Sequence, residues 1–96
     1  HLPGGRLSPT LNFVLDEETP WSEVDRVAAS AAGANLERAE FLSQYRGQQL
    51  GPEKKSYVIR LLFRSPDRTL TSEEVDGAVR NVVAACEREL KATLRA

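Results

Sequence analysis

Tyr45-Arg46-Gly47, a short turn region, and then Lys54-Lys55-Ser56-Tyr57-Val58-Ile59-Arg60-Leu61-Leu62-Phe63-Arg64-Ser65-Pro66-Asp67-Arg68-Thr69-Leu70-Thr71 determine the architecture expected of this chain. Within that stretch, Ser56 to Arg64 predicts a strand. Tyr57, Ile59, Leu61 and Phe63 fall on one face, and Ser56, Val58, Arg60, Leu62 and Arg64 on the other. Arg46 to Lys54, with Gly47, Gly51 and Pro52, reads as a loop. Downstream, Ser65-Pro66-Asp67 turns the chain, and Thr71-Ser72-Glu73-Glu74 has the pattern of a capping box. Behind it Val75, Val79, Val82, Cys86 and Leu90 line up as one apolar helical stripe.

Upstream the same reading continues. Pro3, Gly4, Gly5 and Pro9 make residues 1–9 an irregular lead-in, so the expected domain runs from residue 10 to 96. Leu11, Phe13 and Leu15 alternate with Thr10, Asn12 and Val14, the period of a strand, until Asp16-Glu17-Glu18 ends it. That acidic run is expected to be solvated, near a helix N-terminus. Thr19-Pro20 reads as N-cap and first helical residue, Val24, Val27, Ala28 and Ala31 follow at helical spacing, and Gly33 ends the helix. Trp21 is expected to pack. Leu36 to Tyr45 reads as a second strand whose phase is broken enough to suggest a bulge, and Ala92 to Arg95 as a short last strand.

The order β-α-β-β-α-β implies an α+β, ferredoxin-like sandwich: a four-stranded antiparallel sheet with two helices on one face. Alternation assigns Leu11, Phe13, Leu15, Tyr57, Ile59, Leu61 and Phe63 to the helix side. It leaves Asn12, Ser56, Arg60 and Arg64 on the open face, with Val58 and Leu62 between them.

Charge gives the open face a chemical meaning. Tyr45 to Thr71 holds six basic residues against two acidic ones, a surplus of four in a chain of net charge −1, so the remainder carries −5. A local positive surface on an otherwise acidic domain suits a polyanion bound by one face. Arginines supply paired contacts to phosphate, short polar side chains reach base edges, and a tyrosine can stack an unpaired base. Tyr45, ending a strand beside Arg46 and a glycine, is the stacking candidate; the plain alternative is a ring that closes the sheet edge.

Catalysis finds no material. The sole histidine, His1, sits at an expected loose terminus, and the single cysteine, Cys86, excludes an internal disulfide, fits a reducing cytosol and reads as a buried thiol. A zinc-ligand cluster, a glycine-rich phosphate loop and a Ser/His/Asp set are all missing from the sequence, as are a signal peptide and an apolar run of membrane-spanning length. Glu73 and Glu74 are explained by the helix cap, and Arg68 and Thr69 by pinning the turn that enters it.

The Tyr-Arg-Gly turn, the Lys-Ser strand start and the exit Arg64-Ser65-Pro66-Asp67-Arg68-Thr69-Leu70-Thr71 closely resemble the C-terminal anticodon-binding domain of the bacterial phenylalanyl-tRNA synthetase β subunit. The resemblance spans nearly the whole chain. It implies a ferredoxin-like fold and a cytoplasmic, non-catalytic module that grips the anticodon stem-loop of phenylalanine tRNA. Aminoacylation, with its ATP and Mg, would then occur elsewhere in an α2β2 parent, leaving no cofactor in this domain. The implied partners are tRNA-Phe, the rest of the β subunit and the α subunit, with no membrane contact, and the isolated domain is expected to be a monomer. Tyr45, Ser56 and Asn12 match the family positions that face the anticodon. Arg46, Lys55, Arg60 and Arg64 are the candidate cations. Ser43 stands where the family usually has an aspartate, and Pro9-Thr10 where it has Arg-Asp.

Rival readings share the topology. A small-molecule-sensing or dimerising regulatory module would use Val58 and Leu62 as contacts. An RNA-recognition motif would need glycine and interleaved aromatics that Lys54-Lys55-Ser56-Tyr57-Val58-Ile59 lacks. An acylphosphatase-like enzyme would rest on topology alone.

Overall fold

In the computed structural model, residues 8–95 are described. Strand β1 spans Thr10–Asp16, helix α1 Trp21–Ala32, strand β2 Leu36–Tyr45, strand β3 Lys54–Phe63, helix α2 Ser72–Leu90 and strand β4 Thr93–Arg95, with one 3-10 turn at Gln48–Leu50. The strands lie in the order β2-β3-β1-β4, every neighbour antiparallel. The expected β-α-β-β-α-β architecture is therefore present. Most of the expected lead-in, residues 1–7, lies outside the described residues. Pro9 lies just outside β1, and its carbonyl accepts a hydrogen bond from the Leu61 N–H at 3.0 Å.

Packing follows the alternation of the central strands. Phe13, Leu15, Ile59, Leu61 and Phe63 are buried on the helix side, and they meet Val24, Val27 and Ala28 of α1 and Val75, Val82, Ala85 and Cys86 of α2 in one apolar cluster. Trp21 packs as expected. Its ring lies 5.8 Å from Phe41 and 6.4 Å from Tyr57, and Phe41 meets Tyr57 edge-on at 5.0 Å, so three aromatics tie α1 to β2 and β3. Burial in this cluster pushes the Cys86 thiol up to about 11, which leaves it an inert apolar group near neutral pH. Among the described residues no helix is long and apolar enough to cross a membrane.

Both helix starts are informative. Pro20, not Thr19, occupies the N-cap of α1, and no side chain caps it. Thr19 instead gives its N–H to the Asp16 carbonyl at 3.0 Å, closing the turn out of β1, so it is already used before the helix begins. Helix α2 has the full capping box: the Glu74 N–H donates to the Thr71 hydroxyl at 3.1 Å, and the Thr71 N–H donates to the Glu74 carboxylate at 3.0 Å. Arg68 adds a two-pronged contact, with Nη1 donating to Glu74 Oε1 at 2.7 Å and Nη2 to Oε2. The turn arginine is thus structural.

The Arg68 guanidinium and the Thr71 groups hold the Glu74 carboxyl down at about 2, against 4.5 for an ordinary glutamate. A depressed carboxylate contributes stability that is fully present above its unfolded value and is lost as pH falls through the folded one. Thermal midpoints should therefore drop as pH falls from about 4.5 towards about 2. Glu74→Gln should melt lower at neutral pH and lose less across that acidic interval. Identical pH slopes for the two proteins would show that this carboxylate contributes nothing.

Candidate nucleic-acid interface

The face of the sheet turned away from the helices is organised in rows by the strand register. Thr93, Val14, Ser56 and Tyr45 stand opposite one another across β4, β1, β3 and β2. Beside them runs Arg95, Asn12, Val58 and Ser43, and beyond that Thr10, Arg60 and Glu40. Neighbouring strands are about 4.8 Å apart and alternate residues about 6.8 Å, so the first two rows form a compact patch.

Tyr45 reaches this face because β2 is bulged. From Ala39 to Phe41 the strand pairs in step with Leu61 to Ile59, and unbroken pairing would put Tyr45 opposite Lys55 with its ring on the helix side. One extra residue, Leu42, resets the register so that Ser43 meets Val58 and Tyr45 meets Ser56. The bulge therefore transfers both residues to the open face. It also leaves Leu42 exposed.

Tyr45 is 47% exposed, and its hydroxyl accepts a hydrogen bond from Gln49 Nε2 at 2.5 Å. The ring lies against the turn at Gly47, where an added Cβ would sit 2.7 Å from the tyrosine oxygen. Glycine is used here for close approach, not for a special backbone angle. Ser56 is 1% exposed, and its hydroxyl donates to Asn12 Oδ1 in the neighbouring strand. Tyr45, Ser56 and Asn12 are thus brought together, but with different standing: the ring is available, the amide half-available, and the serine lies beneath them as a positioning group.

The cations are distributed differently from the expectation. Arg46 points away from the open face, and one edge of its guanidinium is paired with the Glu17 carboxylate, Nε donating to Oε1 and Nη2 to Oε2 at 2.7 Å. Lys55, opposite Leu15, is buried. Its ammonium lies 3.9 Å from Glu17 and 4.6 Å from the centre of the Tyr57 ring. Alternation explains both outcomes, because residues next to Tyr45 and Ser56 must face the other way. The acidic run is correspondingly engaged rather than merely solvated. Asp16 pairs with Lys54 and Glu17 with Arg46, and these partners hold both carboxyls below the usual range.

Arg60 does lie on the open face, 3.6 Å from Glu40, which also accepts from Arg38. Arg64 follows the far end of β3 and is exposed, about 27 Å along the strand direction from Ser56. It is not gathered with Tyr45. The residue that sequence reading missed is Arg95, set opposite Asn12 by the β1–β4 pairing. Two-residue periodicity is hard to read in a three-residue strand, and only the register shows which way Arg95 belongs. Among the described residues no group of three or more His, Cys, Asp or Glu side chains is placed to hold a metal ion.

Comparison with known proteins bears on this face. Residues 8–95 match the sequence model of a family described as the ferredoxin-fold anticodon binding domain. The phenylalanine–tRNA ligase beta subunit of Bifidobacterium longum is 41% identical over 86 residues, covering 90% of this chain and 10% of that protein. The beta subunits from Synechococcus sp. (strain JA-3-3Ab) and Corynebacterium efficiens are each 39% identical, over 83 and 89 residues, or 86% and 93% of this chain and 10% and 11% of theirs. The chain spans about a tenth of the length of these relatives. With its topology, its open sheet face and this match across nearly all of its length, the chain belongs to the ferredoxin-fold anticodon binding domain family.

Proposed function

We propose that this chain is the tRNA-binding domain of a phenylalanine–tRNA ligase β subunit. It recognises the anticodon stem-loop of tRNA-Phe in the cytoplasm, while aminoacylation takes place in other domains of a larger protein partnered by an α subunit. The observation that carries the reading is the convergence of Tyr45, Ser56 and Asn12 on one patch of the open face, achieved by the bulge at Leu42. The relatives' length supports a parent roughly ten times larger than this chain.

In this reading the Tyr45 ring stacks an unpaired base, an interaction worth about 1–3 kcal/mol. Ser56 fixes the Asn12 amide, and Ser43, in the adjacent row, offers a hydroxyl where the resembling family has a carboxylate. A hydroxyl donates as well as accepts, so this position does not demand an amine on the base as a carboxylate would. The dimerising alternative loses one of its two contacts, because Leu62 is already buried within this chain.

The test is direct. A hairpin carrying the phenylalanine anticodon loop and a copy with its three anticodon bases changed are titrated with the 96-residue chain at several salt concentrations. Tighter binding to the native loop, at every salt concentration, is the expected result. Equal binding to both hairpins would reduce the domain to a backbone clamp and overturn anticodon recognition.

A further inference from the structure

Resting on the reading above, we propose that Arg95 and Asn12 together form a phosphodiester-binding subsite on the β4–β1 half of the open face. Three observations converge on it. The register sets Arg95 directly opposite Asn12, so a guanidinium and an amide share one row. The Ser56 hydroxyl donates to Asn12 Oδ1, which commits the oxygen and leaves the Nδ2 hydrogens as donors; among the described residues no buried side-chain polar atom lacks a partner, so this nitrogen is not entombed. Finally, the other cations placed on this face by the strand register already have carboxylate partners: Arg38 pairs with Glu37 and Glu40, Arg60 lies 3.6 Å from Glu40, and Lys54 pairs with Asp16, while Arg64 lies beyond the paired residues of β3. Arg95 is exposed and makes no ion pair among the described residues.

The chemistry selects the ligand. Arginine and an amide NH2 are donors with no acceptor, so the pair suits an oxygen rich in lone pairs and negative charge. On a single-stranded loop that oxygen belongs to the backbone. The subsite lies about 14 Å across the sheet from Tyr45, three strand spacings away. A base stacked on Tyr45 and a phosphate held at Arg95 would thus draw the loop across all four strands and give it a direction. Sequence preference would come from the Tyr45 end and charge from the Arg95 end.

Salt dependence separates the two ends. Arg95→Gln should reduce the slope of log affinity against log salt by about 0.7–0.9, the loss of one neutralised phosphate, while the preference for the native anticodon hairpin persists. Arg95→Lys should keep the slope, and Asn12→Asp, which places a carboxylate beside the phosphate, should weaken binding to both hairpins by about tenfold or more at low salt. An unchanged slope in Arg95→Gln, in a protein that binds and still depends on Tyr45, overturns the subsite and leaves anticodon recognition standing. A changed anticodon preference at constant slope also overturns it, by making Arg95 a reader of bases. If the unmodified chain binds neither hairpin, the functional reading fails and the subsite with it. Thermal melts of each variant check that exposed Arg95 and half-buried Asn12 can be changed with the fold intact.

Discussion

Tyr45→Ala is expected to weaken binding to the native anticodon hairpin by roughly 5- to 150-fold, the equivalent of the 1–3 kcal/mol that stacking one base contributes. The thermal midpoint should move little. Nearly half of the residue is exposed at the end of an edge strand, and the hydrogen bond to its hydroxyl comes from an exposed Gln49. Tyr45→Phe divides the effect: it keeps the ring and gives up only the Gln49 contact, so it should bind nearly as well as the parent. If both variants bind normally, the ring closes the sheet edge and stacks nothing. If both lose binding equally, the hydroxyl is the contact and the stacking account is wrong. Isothermal titration or fluorescence anisotropy with a labelled hairpin distinguishes these outcomes.

Phe13→Ala should produce a loss of stability of about 3–5 kcal/mol, the usual result of truncating a fully buried aromatic. Phe13 is 0% exposed and lies in β1, flanked by β3 and β4 and opposite Tyr57 and Leu94. The void would open in the apolar cluster where the central strand meets the helices. Domains of this size have about 5–15 kcal/mol in total, so the variant should be partly unfolded or close to it at 37 °C. In urea the transition should shift to lower concentration with an unchanged slope, monitored by Trp21 fluorescence. Trp21 is a suitable reporter because it packs against Phe41 and Tyr57 and leaves them on unfolding. A shift equivalent to less than about 1 kcal/mol would mean that the core reorganises around the gap.

What the sequence revealed, and what it concealed, follows from how each signal is encoded. In strand β3 the apolar Tyr57, Ile59, Leu61 and Phe63 recur at every second position, so its core side is legible although Ser56 and Leu62 on the other face are buried too, and Thr71 with Glu74 marks the start of α2. Direction along a strand is less legible than its presence. Charge and adjacency to Ser56 and Tyr45 suggest Lys55 and Arg46 for the site, yet adjacency in a strand means opposite faces, and both turn to Glu17. Their partner Glu17 is 29 residues from Arg46 in sequence, a pairing that local pattern cannot contain. The break in phase in β2 hinted at a bulge, but the sequence did not say that Leu42 was the extra residue, which is what turns Tyr45 outward. Thr19 shows a milder version of the same limit: a good capping residue was consumed by the turn before the helix.

The pairing of β1 with β4 also has a consequence in time. Thr93–Arg95 follows every other described element, yet it is the neighbour of the first strand. As the chain is synthesised, β1 can find β3 and the helices while its other edge stays bare, with backbone donors and acceptors open to any passing strand. Closure then depends on three residues, the shortest strand of the sheet. A chain cut before Thr93 would keep a nearly complete core with an adhesive margin. Such a product would be expected to aggregate while retaining most of its native secondary structure.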